Sequence, residues 1–322
     1  MPVPDAAFNP SKNVVAICGG VGGAKLALGL QQLLGDRLSV VINVADDFDH
    51  MGLRICPDLD TVIYTLGGLS DEVRGWGRAD ETWNFMAATK QLGGECWFAL
   101  GDRDLALHVE RTQRLAAGET LTEVIAGIAS TLGIAPRLLP VTDDKLRTKV
   151  ATDAGVLDFQ RYFVERRCEP VVKGISFEGA DTARLNPSVS AALSSPQLGA
   201  IIICPSNPYL SIDPILAVAG LRDAMTRSGA PVVAVSPIIG GRAVKGPTAK
   251  IMNELKIETT SASIAKHYAG LLDGLLIDSG DAADVEGIAA RVHAAPTLMT
   301  DLPSRVALAR ESLAFAERLS RH

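Results

Sequence analysis

Residues 14–34 read VVAICGGVGGAKLALGLQQLL: a short apolar run, then a cluster of glycines, then a helical pattern. An apolar run that ends in glycines is typical of a buried parallel strand. The helical pattern begins at Ala24 and ends at Leu34, where Gly35 closes it. A second apolar run, 38–44, follows at once. The order strand, glycine turn, helix, strand predicts one βαβ unit.

The same alternation returns late in the chain, with apolar runs at 199–204, 231–236 and 274–278 and a helical pattern at 215–227. This favours an α/β fold with a Rossmann-like, doubly wound, mostly parallel sheet. The middle differs, because a helical region at about 104–133 is followed by short, charged strand-like runs. We therefore expect an inserted α+β subdomain. The predicted divisions are an N-terminal extension at 1–13, a core at 14–135 and 196–302, the inserted subdomain at 136–195, and a C-terminal helix at 303–322.

Composition excludes some classes of protein. The 322 residues are 47% hydrophobic and carry a formal net charge of −6, whereas a nucleic-acid binder is expected to be basic. No signal peptide is evident at the N-terminus, and no run of about 18 apolar residues follows. We expect a cytoplasmic protein that binds neither nucleic acid nor membrane. The cysteines form no CxxC pair and predict free thiols: Cys18, Cys56, Cys96, Cys168 and Cys204.

The glycine loop is the first candidate site. Gly19, Gly20, Gly22 and Gly23 lie between a predicted strand and a helix start, where backbone N–H groups can approach a phosphate closely. The loop departs from the P-loop template and has Lys25 where the dinucleotide fingerprint has its third glycine. It therefore predicts an anion site of no standard class, with a tight turn that binds no ligand as the alternative.

Acidic residues form the second candidate site, because the carboxyl ends of parallel strands meet at one edge of a sheet. Carboxylates beside a phosphate site repel the ligand unless a cation intervenes, which predicts Mg²⁺. Helix and turn capping by Asp58 and Asp49 is the alternative. His50 lies beside the cluster as a candidate base or ligand. The acidic residues are Asp46, Asp47, Asp49, Asp58 and Asp60.

Three further loops follow predicted strands. Residues 101–104 read GDRD after an apparent strand at 96–100, and they serve either the site or a helix cap. Ser206 and Asn207 lie between two prolines, where the amide can recognise a base or a hydroxyl. A glycine turn at 240–241 precedes Lys245 and Lys250, which could clamp phosphates or simply be solvated.

Together these segments resemble the 2-phospho-L-lactate transferase family of coenzyme F420 biosynthesis. The resemblance extends over about residues 14–302, and the strings PDLDT at 57–61 and SPIIG at 236–240 are uncommon. The matching motifs are 19–26, 46–47, 57–62, 100–104, 139–144, 205–208 and 235–240.

The resemblance implies a Rossmann-like core with an inserted domain, Mg²⁺ as cofactor, and a homodimer. It implies a donor in which guanosine diphosphate is esterified to a three-carbon acid of the lactyl, enolpyruvyl or glyceryl type. The acceptor would be the deazaflavin Fo, whose ribityl hydroxyl attacks phosphorus and displaces GMP.

The resemblance also implies roles for individual residues. The four glycines of the loop would hold the guanylylated donor, with Ser206 and Asn207 nearby, and we add Lys25 and Lys245 to this set. Metal and acceptor contacts would come from Asp46, Asp47, Asp58 and Asp60. We predict Asp46 and Asp47 as the catalytic residues, with Asp47 as the candidate that takes the hydroxyl proton.

Two other functions compete with the transferase. A regulatory nucleotide- or nucleotide-sugar-binding protein would share the glycine loop and the sheet but would have little need of four clustered aspartates. A nicotinamide-dependent oxidoreductase is disfavoured because the dinucleotide fingerprint is incomplete. The Asp47→Asn variant separates the first two, since we expect it to lose catalysis and keep nucleotide binding.

Overall fold

A computed structural model describes residues 8–243, 246–283 and 285–320. The strands in these ranges are β1 Asn13–Cys18, β2 Leu38–Ile42, β3 Phe48–His50, β4 Leu53–Ile55, β5 Arg137–Pro140, β6 Arg147–Thr152, β7 Gly155–Asp158, β8 Val172–Glu178, β9 Leu198–Ile203, β10 Val232–Val235, β11 Ile238–Ile239, β12 Arg242–Ala243, β13 Gly274–Asp278 and β14 Arg291–Ala295. The α-helices are α1 Gly20–Leu34, α2 Pro57–Leu66, α3 Asn84–Gln91, α4 Asp102–Ala116, α5 Leu121–Thr131, α6 Pro187–Leu193, α7 Asp213–Leu216, α8 Leu221–Arg227, α9 Thr248–Glu254, α10 Ser261–His267 and α11 Leu302–Ser320.

The central sheet of the described chain has seven strands in the order β14-β13-β10-β9-β1-β2-β5. Every neighbouring pair is parallel. The chain leaves β1 toward β2 and β5 on one side, then returns to β9 on the other side of β1. The predicted α/β, doubly wound fold is confirmed. The order reverses between β1 and β9, and a ligand crevice is expected outside their carboxyl ends.

The core is built from the apolar runs that the sequence showed. Residues 14–18 of β1 and all of β2 are buried, as expected for strands covered by helices on both faces. Helix α1 packs against α2 and α11. A Cβ atom at Gly29 would overlap the backbone of Arg305, so this glycine allows the close approach of α1 and α11. No helix in the described part of the chain is long and apolar enough to cross a membrane.

The segment 136–195 contains both a central strand and a separate small sheet. Strand β5 pairs with β2 at the edge of the central sheet. Strands β6, β7 and β8 form an antiparallel sheet in the order β7-β6-β8. The helical region expected at 104–133 is two helices, α4 and α5. Gly118 adopts a φ of +97° between them, and Thr120 with Glu123 forms a capping box for α5.

The strand expected at 96–100 is wrong. These residues form no strand, and their aromatic side chains pack against other rings. The Phe98 ring meets Phe48 edge-on with centroids 4.9 Å apart, and the Trp97 ring meets His50 at 5.1 Å. The apolar character of this run therefore reflects contacts between rings and not pairing in a sheet.

Candidate functional site

A cavity of about 970 Å³ opens at the carboxyl ends of the central strands. Its wall combines the loop after β1, the loop after β9, Asp46 from the loop after β2 and the first turn of α2. This is the topological switch point, where the sheet topology places a ligand site. The sequence-predicted residues that line the cavity are Gly19, Gly20, Gly22, Lys25, Asp46, Asp58, Asp60, Ser206 and Asn207.

The glycine loop packs tightly against the loop after β9. The Gly19 N–H donates to the Ser206 hydroxyl at 3.2 Å. A Cβ atom at Gly22 would lie 2.5 Å from the Pro205 carbonyl oxygen, and one at Gly23 would overlap the Ser206 hydroxyl. Gly20 adopts a φ of +64°, in the region that favours glycine. The glycines thus let two loops meet at the start of α1.

Asp58 connects the acid cluster to the glycine loop. Its carboxylate accepts the Gly20 N–H at 2.8 Å and the Asn43 side-chain amide at 2.9 Å. Helix α2 begins at Pro57 with Cys56 as its N-cap, so the capping alternative for Asp58 is wrong. Burial raises the pKa of Asp58 to about 6, and the two hydrogen bonds partly oppose this rise. The bond to Gly20 places the Asp58 carboxylate at the positive N-terminal end of α1.

Asp46 and Asp47 differ in position. Asp46 lines the cavity, and within the described chain its Oδ1 atom is buried without a hydrogen-bond partner. Burial and then the nearby charge of Asp58 raise the pKa of Asp46 well above its ordinary value. Asp47 is equally buried but lies outside the cavity lining. Burial raises its pKa to about 7, against a hydrogen bond from the Cys56 thiol and the charge of Arg147.

Asp49 and His50 do not join the cluster. Asp49 is exposed and forms an ion pair with Arg54, with an oxygen–nitrogen distance of 2.7 Å. His50 is buried among aromatic rings, and burial lowers its pKa. Successive side chains of β3 point to opposite faces, so Asp49 faces solvent while His50 packs among the rings.

A second charged group lies farther along the cavity wall. His108 Nε2 is 3.2 Å from an Asp104 oxygen, and His108 Nδ1 is 3.6 Å from an Asp60 oxygen. Arg111 is fully buried and pairs with Asp60, while the Tyr64 hydroxyl donates to Asp104. One ligand atom each from Asp60, Asp104 and His108 lies within 4.8 Å of the others. This trio is a candidate for a cation or for a proton relay.

Sequence reasoning missed His108 and Arg111. Asp104, His108 and Arg111 recur at the spacing i, i+4, i+7, which places them on one face of α4. That spacing was the available signal. Their neighbour Asp102 has a structural role, because it accepts the N–H groups of Asn84 and Phe85 and so caps α3. A hydrogen bond from the Thr82 hydroxyl, together with these two, lowers the pKa of Asp102 to about 2.

The predicted donor-binding residues have different partners. Lys25 Nζ donates to the Met299 carbonyl at 3.0 Å, and both residues line the cavity. Asn207 accepts the N–H groups of Tyr209 and Leu210 through Oδ1, whereas its Nδ2 group is buried without a partner among the described residues. Lys245 lies outside the described residues. Lys250 bonds to Glu254 and the Pro170 carbonyl, away from the cavity.

Aromatic side chains form another part of the cavity wall, and sequence reasoning did not place them there. The Phe159 and Phe163 rings are stacked, with centroids 5.3 Å apart and an interplanar angle of 18°. Trp97 and Phe98 line the same cavity. A flat, largely apolar ring system would pack well against such a surface.

Comparison with solved structures supports the fold. Two crystal structures of a Bacillus halodurans protein, one described as a UPF0052 family member, share this fold with TM-scores of 0.59 and 0.63. They are 16% identical in sequence and cover 88% and 94% of this chain and 93% and 99% of their own. This level of identity supports the fold alone.

Curated relatives are much more similar in sequence. A Streptomyces griseus protein named phosphoenolpyruvate transferase is 42% identical over 316 residues, covering 95% of this chain and 99% of its own length. A Mycobacterium avium protein of the same name is 39% identical over 320 residues, covering 89% and 94%. The model of the family described as 2-phospho-L-lactate transferase CofD matches residues 14–304. The motifs at the cavity therefore predicted the family correctly, and the chain belongs to the 2-phospho-L-lactate transferase CofD family.

Proposed function

We propose that this chain is a phosphotransferase of coenzyme F420 biosynthesis. It takes a donor in which guanosine diphosphate is esterified to a three-carbon acid. The ribityl hydroxyl of Fo attacks the phosphorus that carries this acid, the bond between the two phosphates breaks, and GMP leaves. The observation that carries the proposal is the cavity at the switch point, where the glycine loop, Ser206, Asn207 and buried carboxylates surround one space.

We propose enolpyruvyl as the three-carbon group. The support is the name phosphoenolpyruvate transferase, which is attached to relatives that are 38–42% identical to this chain. The lactyl and glyceryl donors are the alternatives that the assay below includes.

The glycine loop and Lys25 would hold the phosphates. Backbone N–H groups at the start of α1 and the helix dipole favour an anion there, and an ammonium group adds charge. The unpaired Nδ2 group of Asn207 gives the same region a hydrogen-bond donor for the nucleoside. Because phosphoryl transfer depends mainly on positioning and charge neutralisation, these contacts account for much of the chemistry.

The carboxylates at the cavity fit Mg²⁺. Asp46 and Asp58 offer oxygen ligands. Burial and then the nearby charge of Asp58 raise the pKa of Asp46, and a bound divalent cation would oppose both effects. When bound, the ion would neutralise charge on the phosphates. We place it on Asp46 and Asp58, because Asp60 is already paired with Arg111 and Asp47 lies outside the lining. Of the two predicted catalytic residues, Asp46 is the one that faces the substrate space.

The aromatic part of the wall would hold the acceptor. Trp97, Phe98 and Phe163 present rings to the cavity, and the deazaflavin of Fo is a flat ring system that stacks on such groups.

We further propose that the enzyme is cytoplasmic and forms a homodimer. Light scattering of the purified protein tests the dimer directly.

A turnover assay tests the proposed function. The purified protein is incubated with Mg²⁺, Fo and each of the lactyl, enolpyruvyl and glyceryl donors, and GMP and the phosphodiester product are followed by mass spectrometry. We expect product with the enolpyruvyl donor and no product after chelation of the metal. Binding of the guanylylated donor without product from any of the three would instead favour a regulatory nucleotide-binding protein.

A further inference from the structure

Arg74 lies in the cavity wall and is held in place from several sides. Its Nε group donates to Asp71 at 2.8 Å, and its Nη2 group donates to the Arg78 carbonyl at 2.9 Å. The guanidinium carbon lies 5.3 Å from the centroid of the Trp76 ring and 5.1 Å from that of Trp83. A guanidinium has five N–H donors, so these bonds leave donors available on a rigid, flat fork.

The loop that carries Arg74 is anchored far away in sequence. Glu72 pairs with Arg305 of α11 at 2.9 Å, and the Arg305 side chain is almost fully buried. Lys25 bonds to the carbonyl of Met299, six residues before Arg305. The chain just before α11 and its first turn therefore fix both Lys25 and the Arg74 loop along one stretch of the wall.

The distribution of charge leaves few places for a carboxylate. The described residues that line the cavity include the acids Asp46, Asp58, Asp60 and Asp104, which repel a second anion. The arginine and lysine side chains in the same described lining are Lys25 and Arg74. Lys25 is on the first turns of α1, beside the glycine loop, where the phosphates are expected. Arg74 comes from another part of the chain. It pairs with Asp71 through Nε, and its Nη groups keep N–H donors for a different anionic group.

We propose that Arg74 binds the carboxylate of the three-carbon acid on the donor and so selects acid-bearing donors. This inference rests on the proposed function. A guanidinium held near two rings can match the two oxygens of a carboxylate in a bidentate pair. It also loses little side-chain freedom on binding, because the aromatic rings and the Asp71 carboxylate already fix it.

The test compares two donors that differ only at this carboxylate: the enolpyruvyl donor and its uncharged carboxamide. Values of kcat/KM and dissociation constants from calorimetry are measured for the parent protein, Arg74→Gln, Arg74→Lys and a control, Arg78→Gln, on the same loop. We expect Arg74→Gln to lower kcat/KM and affinity for the acid donor by at least about tenfold, as for a lost charge-assisted hydrogen bond. The loss on the amide donor should be much smaller, because the amide oxygen accepts only an ordinary hydrogen bond from the guanidinium. Arg74→Lys should be intermediate because an ammonium lacks the planar fork.

If Arg74→Gln lowers kcat/KM and affinity equally for both donors, the role of Arg74 is structural. If it lowers neither for the acid donor, Arg74 does not contact the carboxylate. Either result overturns the inference. Measurements on the parent protein distinguish a failure of this inference from a failure of the proposed function. If it makes no product from any donor, the transferase proposal fails, while the dissociation constants for acid and amide donors still decide whether Arg74 reads the carboxylate. A parent protein that binds both donors equally contradicts the inference by itself.

Discussion

The Asp58 carboxylate accepts the backbone N–H of Gly20 at 2.8 Å, so the first turn of α2 is bonded to the first residue of α1. The bond joins two motifs that are 38 residues apart in sequence. It also gives the cavity a fixed arrangement in which a buried carboxylate and a helix N-terminus face the same space. A phosphate and a divalent cation would then meet between them.

We expect Asp58→Asn to lower kcat by about 100-fold or more, because the proposed metal loses an anionic ligand. The amide oxygen can still accept the Gly20 N–H, but the new NH₂ group then faces the Asn43 side-chain amide. Urea unfolding of the variant therefore accompanies the kinetics to show that it is folded. Steady-state kinetics at increasing Mg²⁺ concentrations measures this effect. Asp49→Asn is the control, since Asp49 is exposed and paired with Arg54 away from the cavity. A kcat for Asp58→Asn equal to that of the control would argue against a metal-binding role.

We expect Gly22→Ala to weaken donor binding and to reduce the free energy of unfolding by roughly 1–3 kcal/mol, as overpacking does. The new methyl group would meet the Pro205 carbonyl oxygen at 2.5 Å, so one of the two loops must shift. Urea unfolding and calorimetric titration with the donor measure the two effects. Gly174→Ala is a matched control, because its added methyl group would have no heavy atom within 4 Å beyond its chain neighbours. Equal stability of the two variants would contradict the close packing of the loops.

We expect Arg111→Met to destabilise the protein by about 3–5 kcal/mol, because Asp60 would remain buried without its partner. Denaturant unfolding at neutral pH measures the loss. The double variant Asp60→Asn with Arg111→Met removes the orphaned charge and should recover part of the stability. A double variant that is less stable by the sum of the two single losses would show that the pair is not coupled.

Much of the site could be predicted because, in a parallel sheet, the loop after each strand lies at the same edge. The loops after β1, β2 and β9 end at the same edge, so Gly19, Asp46 and Ser206 were expected together, and all three line the cavity. Aromatic and basic residues from the long connection after α2 could not be placed this way. The path of that connection depends on contacts such as Arg305 with Glu72, which are 233 residues apart.

The pattern also misled at specific points. The run at 96–100 is as apolar as a strand, yet it forms none, and its Trp97 and Phe98 rings pack against each other and against Phe48. Asp46 and Asp47 are adjacent and looked equivalent in sequence, but only the first lines the cavity among the described residues. Which of two neighbouring side chains faces a cavity depends on the local turn, and composition does not encode it.

Asp47 provides a test by pH. Burial raises its pKa from 3.8 to about 7 in the folded protein, so the folded state binds this proton more tightly than the unfolded chain does. Stability from this group is therefore full below about pH 4 and is lost as the pH rises toward 7. We expect Asp47→Asn to remove that loss, so the variant should gain stability relative to the parent between pH 4 and 7, on the order of a few kcal/mol at most.

Urea unfolding at a series of pH values, with a chelator present, measures this difference directly. Asp49→Asn is the control again. The Asp49 carboxylate is exposed, so its removal should leave the change of unfolding free energy with pH as it is in the parent. If the free energy of unfolding changes with pH in the same way for Asp47→Asn and the parent, the buried carboxylate keeps its ordinary pKa. The Cys56 thiol and Arg147 would then outweigh the effect of burial. Under that outcome Asp47 is ionised at neutral pH, but its position outside the cavity lining still separates it from the acceptor hydroxyl, which leaves Asp46 as the carboxylate that faces the substrate space.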